Sequence, residues 1–303
     1  MWCGSASRRP WWRVLLALAA VTALVWWAWQ ARPTPLAVRW HALLVPGALL
    51  SVLSLLAYAA RFRHVMHMLD LQFSLFDGLR IVSFAVFCQF FVPLGAGADL
   101  AKYMKLRGLA PERRALLSAA GIVLEHLLGL IALVGIASAL FGLLRPFALK
   151  VDSALLVLGA LTVVALAAWV LLRSQGRAGL NGRQLLARLG VHKRDAVLAL
   201  AWSVAMHALL AGAVYVGSLG WGLALTYWQV LFVLASASVF QAVPANLLGV
   251  GVADVAGTGL YVALGLSLPD ALLLVSLLYC YRLLAAVVGG LWEWHKARVV
   301  MCE

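Results

Sequence analysis

Six ionisable residues stand within apolar stretches of this sequence: Asp99, Lys102, Glu125, His126, Asp254 and Arg282. A charged side chain at the centre of a bilayer costs ~2.5–3.5 kcal/mol on insertion scales, so such residues mark either function or a buried pair. Three acids and three potential cations would nearly neutralise one another if the fold gathered them into one cavity. Their chemistry suits a lipid head group. A guanidinium such as Arg282 grips a phosphate with two parallel hydrogen bonds, and an ammonium such as Lys102 binds it as a point charge. The acids would orient those cations or meet an amine on the head group. The competing expectation is a set of internal ion pairs that only fixes helix packing. His126 is equally explained as a neutral imidazole bonded to Glu125 or to a backbone carbonyl. His207, with no acid nearby in sequence, reads as a packing residue, and Gln89 and Gln241 read as polar groups bonding across helices.

Other chemistries have little support. The chain has no GxSxG, HExxH or Walker A pattern, and Glu125-His126 lacks the second histidine a zinc protease needs one turn away. The four cysteines (Cys3, Cys88, Cys280 and Cys302) show neither paired nor metal-ligand spacing. No enzymatic activity, cofactor or metal is therefore expected. The formal charge of +13 suggests a polyanion, but the basic residues lie in short loops between apolar runs, where they fix topology, so nucleic acid is not expected as a partner.

The elements that must position these groups are membrane helices. Of 303 residues, 65% are hydrophobic and 12% charged, with a mean hydropathy of +0.98, too few charges to coat a soluble domain of this length. Apolar runs at roughly 14–29, 42–60, 115–143, 153–172, 196–218 and 271–292 predict six full crossings. Arginines 8, 9 and 13 precede the first run as in a signal sequence. Trp11 and Trp12 at its start and Trp26, Trp27 and Trp29 at its end instead predict a retained helix anchored at both interfaces. Residues 173–194 carry six Lys or Arg and no acid, which predicts a cytoplasmic loop. The N-terminal arginines, Lys296 and Arg298 place both termini on the same side of a cytoplasmic membrane.

Two further apolar stretches, roughly 81–107 and 228–266, are interrupted by Pro93, Gly95 and Gly97 and by Pro244, Gly249 and Gly251. If 81–98 crossed fully, the basic run from Lys102 to Arg114 would fall on the outer side. A re-entrant hairpin removes the conflict, and proline and glycine permit its bend. The two interruptions also resemble each other: VFCQFFVPLGAGAD against VFQAVPANLLGVGVAD, followed in each case by a Gly-Leu pair (108–109 and 265–266). Later, Glu125-His126-Leu127-Leu128 is echoed by Tyr281-Arg282-Leu283-Leu284. An all-α, polytopic membrane protein is therefore expected, forming a single transmembrane domain over 1–303. It would comprise about six crossings, two hairpins and a repeat of roughly 11–145 on roughly 150–295. With three crossings per half, the halves would be inverted, an arrangement transporters use to place a binding site between repeats.

At these same residues the sequence resembles the flippase-like transmembrane domain of the lysylphosphatidylglycerol synthase family. That domain carries a Pro-x-Gly-Gly-Asp/Glu-x-x-Arg-type break, a Glu-Arg-x-x-Gly-like element and a late Pro/Gly-rich break. Here they read VPLGAGADLAK, LEHLLG and VPANLLGVGVAD. Lys102 and His126 stand where the family tends to have arginine, which bears on how a phosphate would be held. The family's aminoacyl transfer belongs to a separate soluble domain, and no such domain is expected in the residues after Trp292. The resemblance thus implies a lipid-handling membrane component, flippase-like, that moves an anionic or zwitterionic lipid. The alternative is an integral membrane enzyme, or a subunit supporting a lipid-modifying enzyme.

Overall fold

The computed structural model describes residues 40–91, 97–108, 113–144, 190–242, 246–247 and 250–302, with isolated positions at 19–30 and 188. Four long helices dominate: α1 (Trp40–His67), α4 (Arg113–Leu144), α5 (Lys193–Gly220) and α8 (Leu268–Cys302). Four short ones lie between them in pairs, α2 (Leu75–Phe91) with α3 (Gly97–Gly108), and α6 (Tyr227–Val239) with α7 (Val252–Ala263). A single 3-10 turn (Phe240–Ala242) and a two-residue antiparallel ladder, β1 (Asn246–Leu247) with β2 (Val250–Gly251), bridge α6 and α7.

Local sequence fixes where several helices begin. Ser74 and Asp77 bond reciprocally across the first turn of α2, Thr226 and Gln229 do so at α6, and Asp270 NH donates to the Ser267 hydroxyl at α8. Each exchange satisfies amide donors that a helix N-terminus leaves open. Asp254 does the same for α7, accepting the Gly251 amide at 2.8 Å.

Within the described residues each half runs long, short, short, long, and the halves pack reciprocally. Helix α1 lies along α5, α2 lies against α8, and α6 lies against α4, so the first short helix of each half rests on the last long helix of the other. Two large apolar cores and two small ones result among the described residues. One large core gathers Phe62, Val65, Met66, Leu69, Val82, Leu124 and Leu128, and the other Leu140, Val214, Val230, Phe232, Tyr261, Leu274 and Leu278. Close approach of α2 to α8 depends on Gly289, where an added Cβ would sit 2.2 Å from the Ser83 carbonyl oxygen.

Among the described residues four segments are long and apolar enough to cross a bilayer: Val45–His67, Leu117–Leu144, Lys193–Gly220 and Leu268–Glu293. Leu49, Leu53, Ile131, Leu284, Val288 and Leu291 stand exposed on them, a costly surface in water and a natural one against acyl chains. The chain is a multi-pass helical membrane protein. These segments coincide with four of the six crossings expected from sequence, while the runs at 153–172 and, except for isolated helical positions, 14–29 lie outside the described residues. So does 173–187 of the basic segment; residues 193–194 open α5. Each of the two interrupted stretches holds two short helices among the described residues, although α2 starts at Leu75. Pro93, Gly95, Pro244 and Gly249 fall outside the described residues, whereas Gly97 opens α3 and Gly251 precedes the first turn of α7.

Candidate functional site

Among the described residues Glu125 is a carboxylate with no exposed surface. It lies twelve residues into α4, about 18 Å along the helix axis, and is fully buried. A carboxylate there demands compensation, and two cations supply it. Arg61 of α1 donates from Nη2 to Oε1 at 2.7 Å, and Lys102 of α3 donates from Nζ to Oε2 at 2.9 Å. Lys102 is 1% exposed and stands 5.2 Å from the centre of the Tyr58 ring, with Arg61 5.1 Å from the same ring. The electron-rich face of Tyr58 therefore adds to what Glu125 supplies. Gly129 leaves room for the Arg61 guanidinium, since a Cβ there would stand 3.2 Å from Nη1.

Asp99, in the first turn of α3, completes this group at its open edge. Its Oδ1 lies 3.6 Å from Lys102 Nζ, and the His126 Nε2 lies 3.0 Å from both carboxylate oxygens. The alternative expectation for His126, a bond to Glu125 or a backbone carbonyl, gives way to Asp99. Neighbours on a helix point ~100° apart, so with Glu125 turned into the bundle, His126 faces outward, 60% exposed.

The other two predicted residues form a second group. Arg282 of α8 has Nη1 3.7 Å from Asp254 Oδ1, an ion-pair distance too long for a hydrogen bond. They line a cleft between α6, α7 and α8 together with Ser238, Gln241 and Tyr261, whose remaining walls are apolar: Val233, Leu234, Leu274, Val275 and Leu278. Asp254 is buried and braced by the Gly251 amide, so it is fixed, while the Arg282 side chain is 23% exposed. The six predicted residues thus gather as four and two. His207 is buried at the midpoint of α5, within electrostatic reach of both Arg61 and Arg282. Its Nδ1 has no hydrogen-bond partner.

Sequence reasoning missed Arg61. It follows the apolar run 42–60 and so read as a span end, yet α1 continues to His67 and carries Arg61 almost two turns inside the helix. A continued helical pattern of apolar residues, Phe62, Val65, Met66 and Leu69, was the available signal. Also missed was a cluster where α2, α3 and α8 meet: Arg80 Nε donates to Glu293 Oε1 at 2.6 Å, and Lys105 bonds the other oxygen of the same carboxylate. Among the described residues no group of three His, Cys, Asp or Glu is arranged to hold a metal, and Cys88 and Cys280 are free thiols.

Comparison with known proteins supplies a family. The lysylphosphatidylglycerol synthase TM region matches residues 14–291, nearly the whole chain. Neither a curated protein nor a solved structure matches. Interrupted helix pairs, buried charges at their edges and this match over 14–291 together place the chain in the lysylphosphatidylglycerol synthase TM region family, membrane proteins tied to lipid modification and translocation.

Proposed function

We propose that this protein moves an anionic or zwitterionic phospholipid between leaflets of the cytoplasmic membrane. The head group passes through a polar groove between two halves while its acyl chains stay in the bilayer. The observation that carries this reading is the contrast between two arginines. Arg61 is buried and committed to Glu125, whereas Arg282 is accessible, borders a largely apolar cleft and is held only loosely by Asp254. A guanidinium in that state can exchange its contact for a phosphate in bidentate geometry. Arg282 lies fourteen residues into α8, ~21 Å along a segment of crossing length, so its phosphate would sit deep in the hydrocarbon.

In this reading α2–α3 and α6–α7 are re-entrant hairpins entering from opposite sides, and the halves are inverted copies. The reciprocal packing of α2 on α8 and α6 on α4, and the acids Asp99 and Asp254 at the third position of α3 and α7, support it. Both termini are cytoplasmic on the loop-charge argument. No cofactor is used, and the partner is lipid alone or lipid together with a lipid-modifying enzyme. Together with Asp99, the Arg61–Glu125–Lys102 group is a neutral strut between α1, α3 and α4, with Lys102 fixing α3 rather than meeting phosphate.

Purified protein in vesicles containing fluorescent phosphatidylglycerol tests this, with outer-leaflet label quenched by a membrane-impermeant reductant. Wild-type vesicles are expected to lose nearly all fluorescence and Arg282→Ala vesicles about half. Wild-type vesicles that also stop at half would refute translocation. A second reading, an enzyme or enzyme subunit, is favoured by the exposed His126–Asp99 pair, an imidazole held by a carboxylate as in acid–base catalysis. It requires chemical conversion of a lipid in detergent, where leaflets are absent, and loss of that conversion in His126→Ala.

A further inference from the structure

The cleft beside Arg282 holds a polar group that nothing above uses. Tyr261 lines it from α7, 1% exposed, and its hydroxyl is buried with no hydrogen-bond partner. Buried hydroxyls are nearly always bonded, because an unpaired one forfeits its hydration and gains nothing in return. Packing alone would be served better by phenylalanine: the ring sits in the apolar core with Val230, Phe232, Leu274 and Leu278. Tyr261 follows Asp254 by seven residues, two helical turns, so both lie on one face of α7 about 10 Å apart along its axis. The cleft is therefore amphiphilic along its length. Arg282, Asp254, Gln241 and Ser238 supply polar groups, Val233, Leu234, Leu274, Val275 and Leu278 supply apolar walls, and Tyr261 lines the cleft among them with its hydroxyl buried.

We propose that Tyr261 is a specificity-determining residue whose hydroxyl donates a hydrogen bond to an ester carbonyl oxygen of the lipid whose phosphate rests on Arg282. This inference rests on the assignment of Arg282 as the phosphate-binding group. A glycerophospholipid has the required order: a phosphate first, then ester carbonyls, then acyl chains. Acyl chains lie against Leu234, Leu274 and Val275, and the carbonyl supplies the acceptor that the apolar walls lack. Ether-linked lipids, which have the same shape but no carbonyl, lose this contact.

The experiment is a thermal unfolding titration in neutral detergent, comparing wild type with Tyr261→Phe. The probes are dioleoylphosphatidylglycerol, its ether-linked analogue and free glycerol phosphate. Wild type is expected to bind the ester lipid about tenfold more tightly than the ether lipid, the value of one hydrogen bond. Tyr261→Phe is expected to bind both with the same weakened affinity, while its lipid-free midpoint stays equal or rises because an unpaired hydroxyl has gone. Equal affinity of wild type for ester and ether lipids, or an ester preference that survives in Tyr261→Phe, overturns the proposal. Glycerol phosphate stabilising as strongly as the lipid also overturns it, marking a site for free phosphate. Detergent binding does not require leaflets, so an ester preference lost in Tyr261→Phe alongside absent translocation in vesicles would sink the transport proposal alone.

Discussion

Replacing Glu125 by glutamine tests the buried strut with a near-isosteric change. The glutamine fills the same space and still offers one acceptor, but it leaves two cations, Arg61 and Lys102, without the charge that both share. Removing one partner from a buried ion pair costs ~3–5 kcal/mol, because the surviving charge stays desolvated. Here two charges survive, but each keeps some compensation. Lys102 retains Asp99 at 3.6 Å and Arg61 retains the residue-125 backbone carbonyl at 3.4 Å, so the loss should match one broken pair rather than two. About 4 kcal/mol is expected. The paired experiment is Lys102→Met, which leaves Glu125 still bonded to Arg61 and should cost about 1–2 kcal/mol. Reversible unfolding in mixed micelles or bicelles, with both variants measured against wild type, gives the two values. A Glu125→Gln cost below about 1 kcal/mol, or a Lys102→Met cost exceeding it, would refute a shared carboxylate at the centre of this group.

Two further outcomes follow from the packing. Gly289→Ala places a methyl against the Ser83 carbonyl and should destabilise by about 1–3 kcal/mol while loosening α2 from α8, seen as faster amide exchange in 75–91. Glu293→Gln frees Arg80 and Lys105 together; these side chains are 26% and 28% exposed, so screening holds the cost to about 1 kcal/mol, read by the same unfolding assay.

How much of this was legible in the chain depends on the range of the interaction. The long helices α1, α4, α5 and α8 follow from hydropathy and length, which act within about twenty residues. Proline and glycine act on their own backbone, so interruptions in 81–107 and 228–266 were readable as expectations; Pro93, Gly95, Pro244 and Gly249 lie outside the described residues. Charge placement was also readable, since Asp99, Lys102, Glu125 and Arg282 stand out as ionisable residues in apolar runs. Pairing was not. Arg61 meets Glu125 across 64 residues and Arg80 meets Glu293 across 213, and no local pattern encodes such contacts. His126 lies one step around the helix from Glu125 and meets Asp99 across 27 residues, and no local pattern marks the buried, unpartnered Tyr261 hydroxyl. The family resemblance, drawn from the order of three short motifs, agrees with the match over 14–291.

The route through the Arg282 cleft is tested most directly by plugging it. Gln241 is exposed and lines the cleft, so a cysteine placed there in a chain freed of its own cysteines can be reacted with a bulky maleimide. Translocation of fluorescent phosphatidylglycerol in vesicles should proceed before the reaction and stop in proportion to the fraction labelled. Fully labelled protein that still moves the lipid at the original rate would contradict the account.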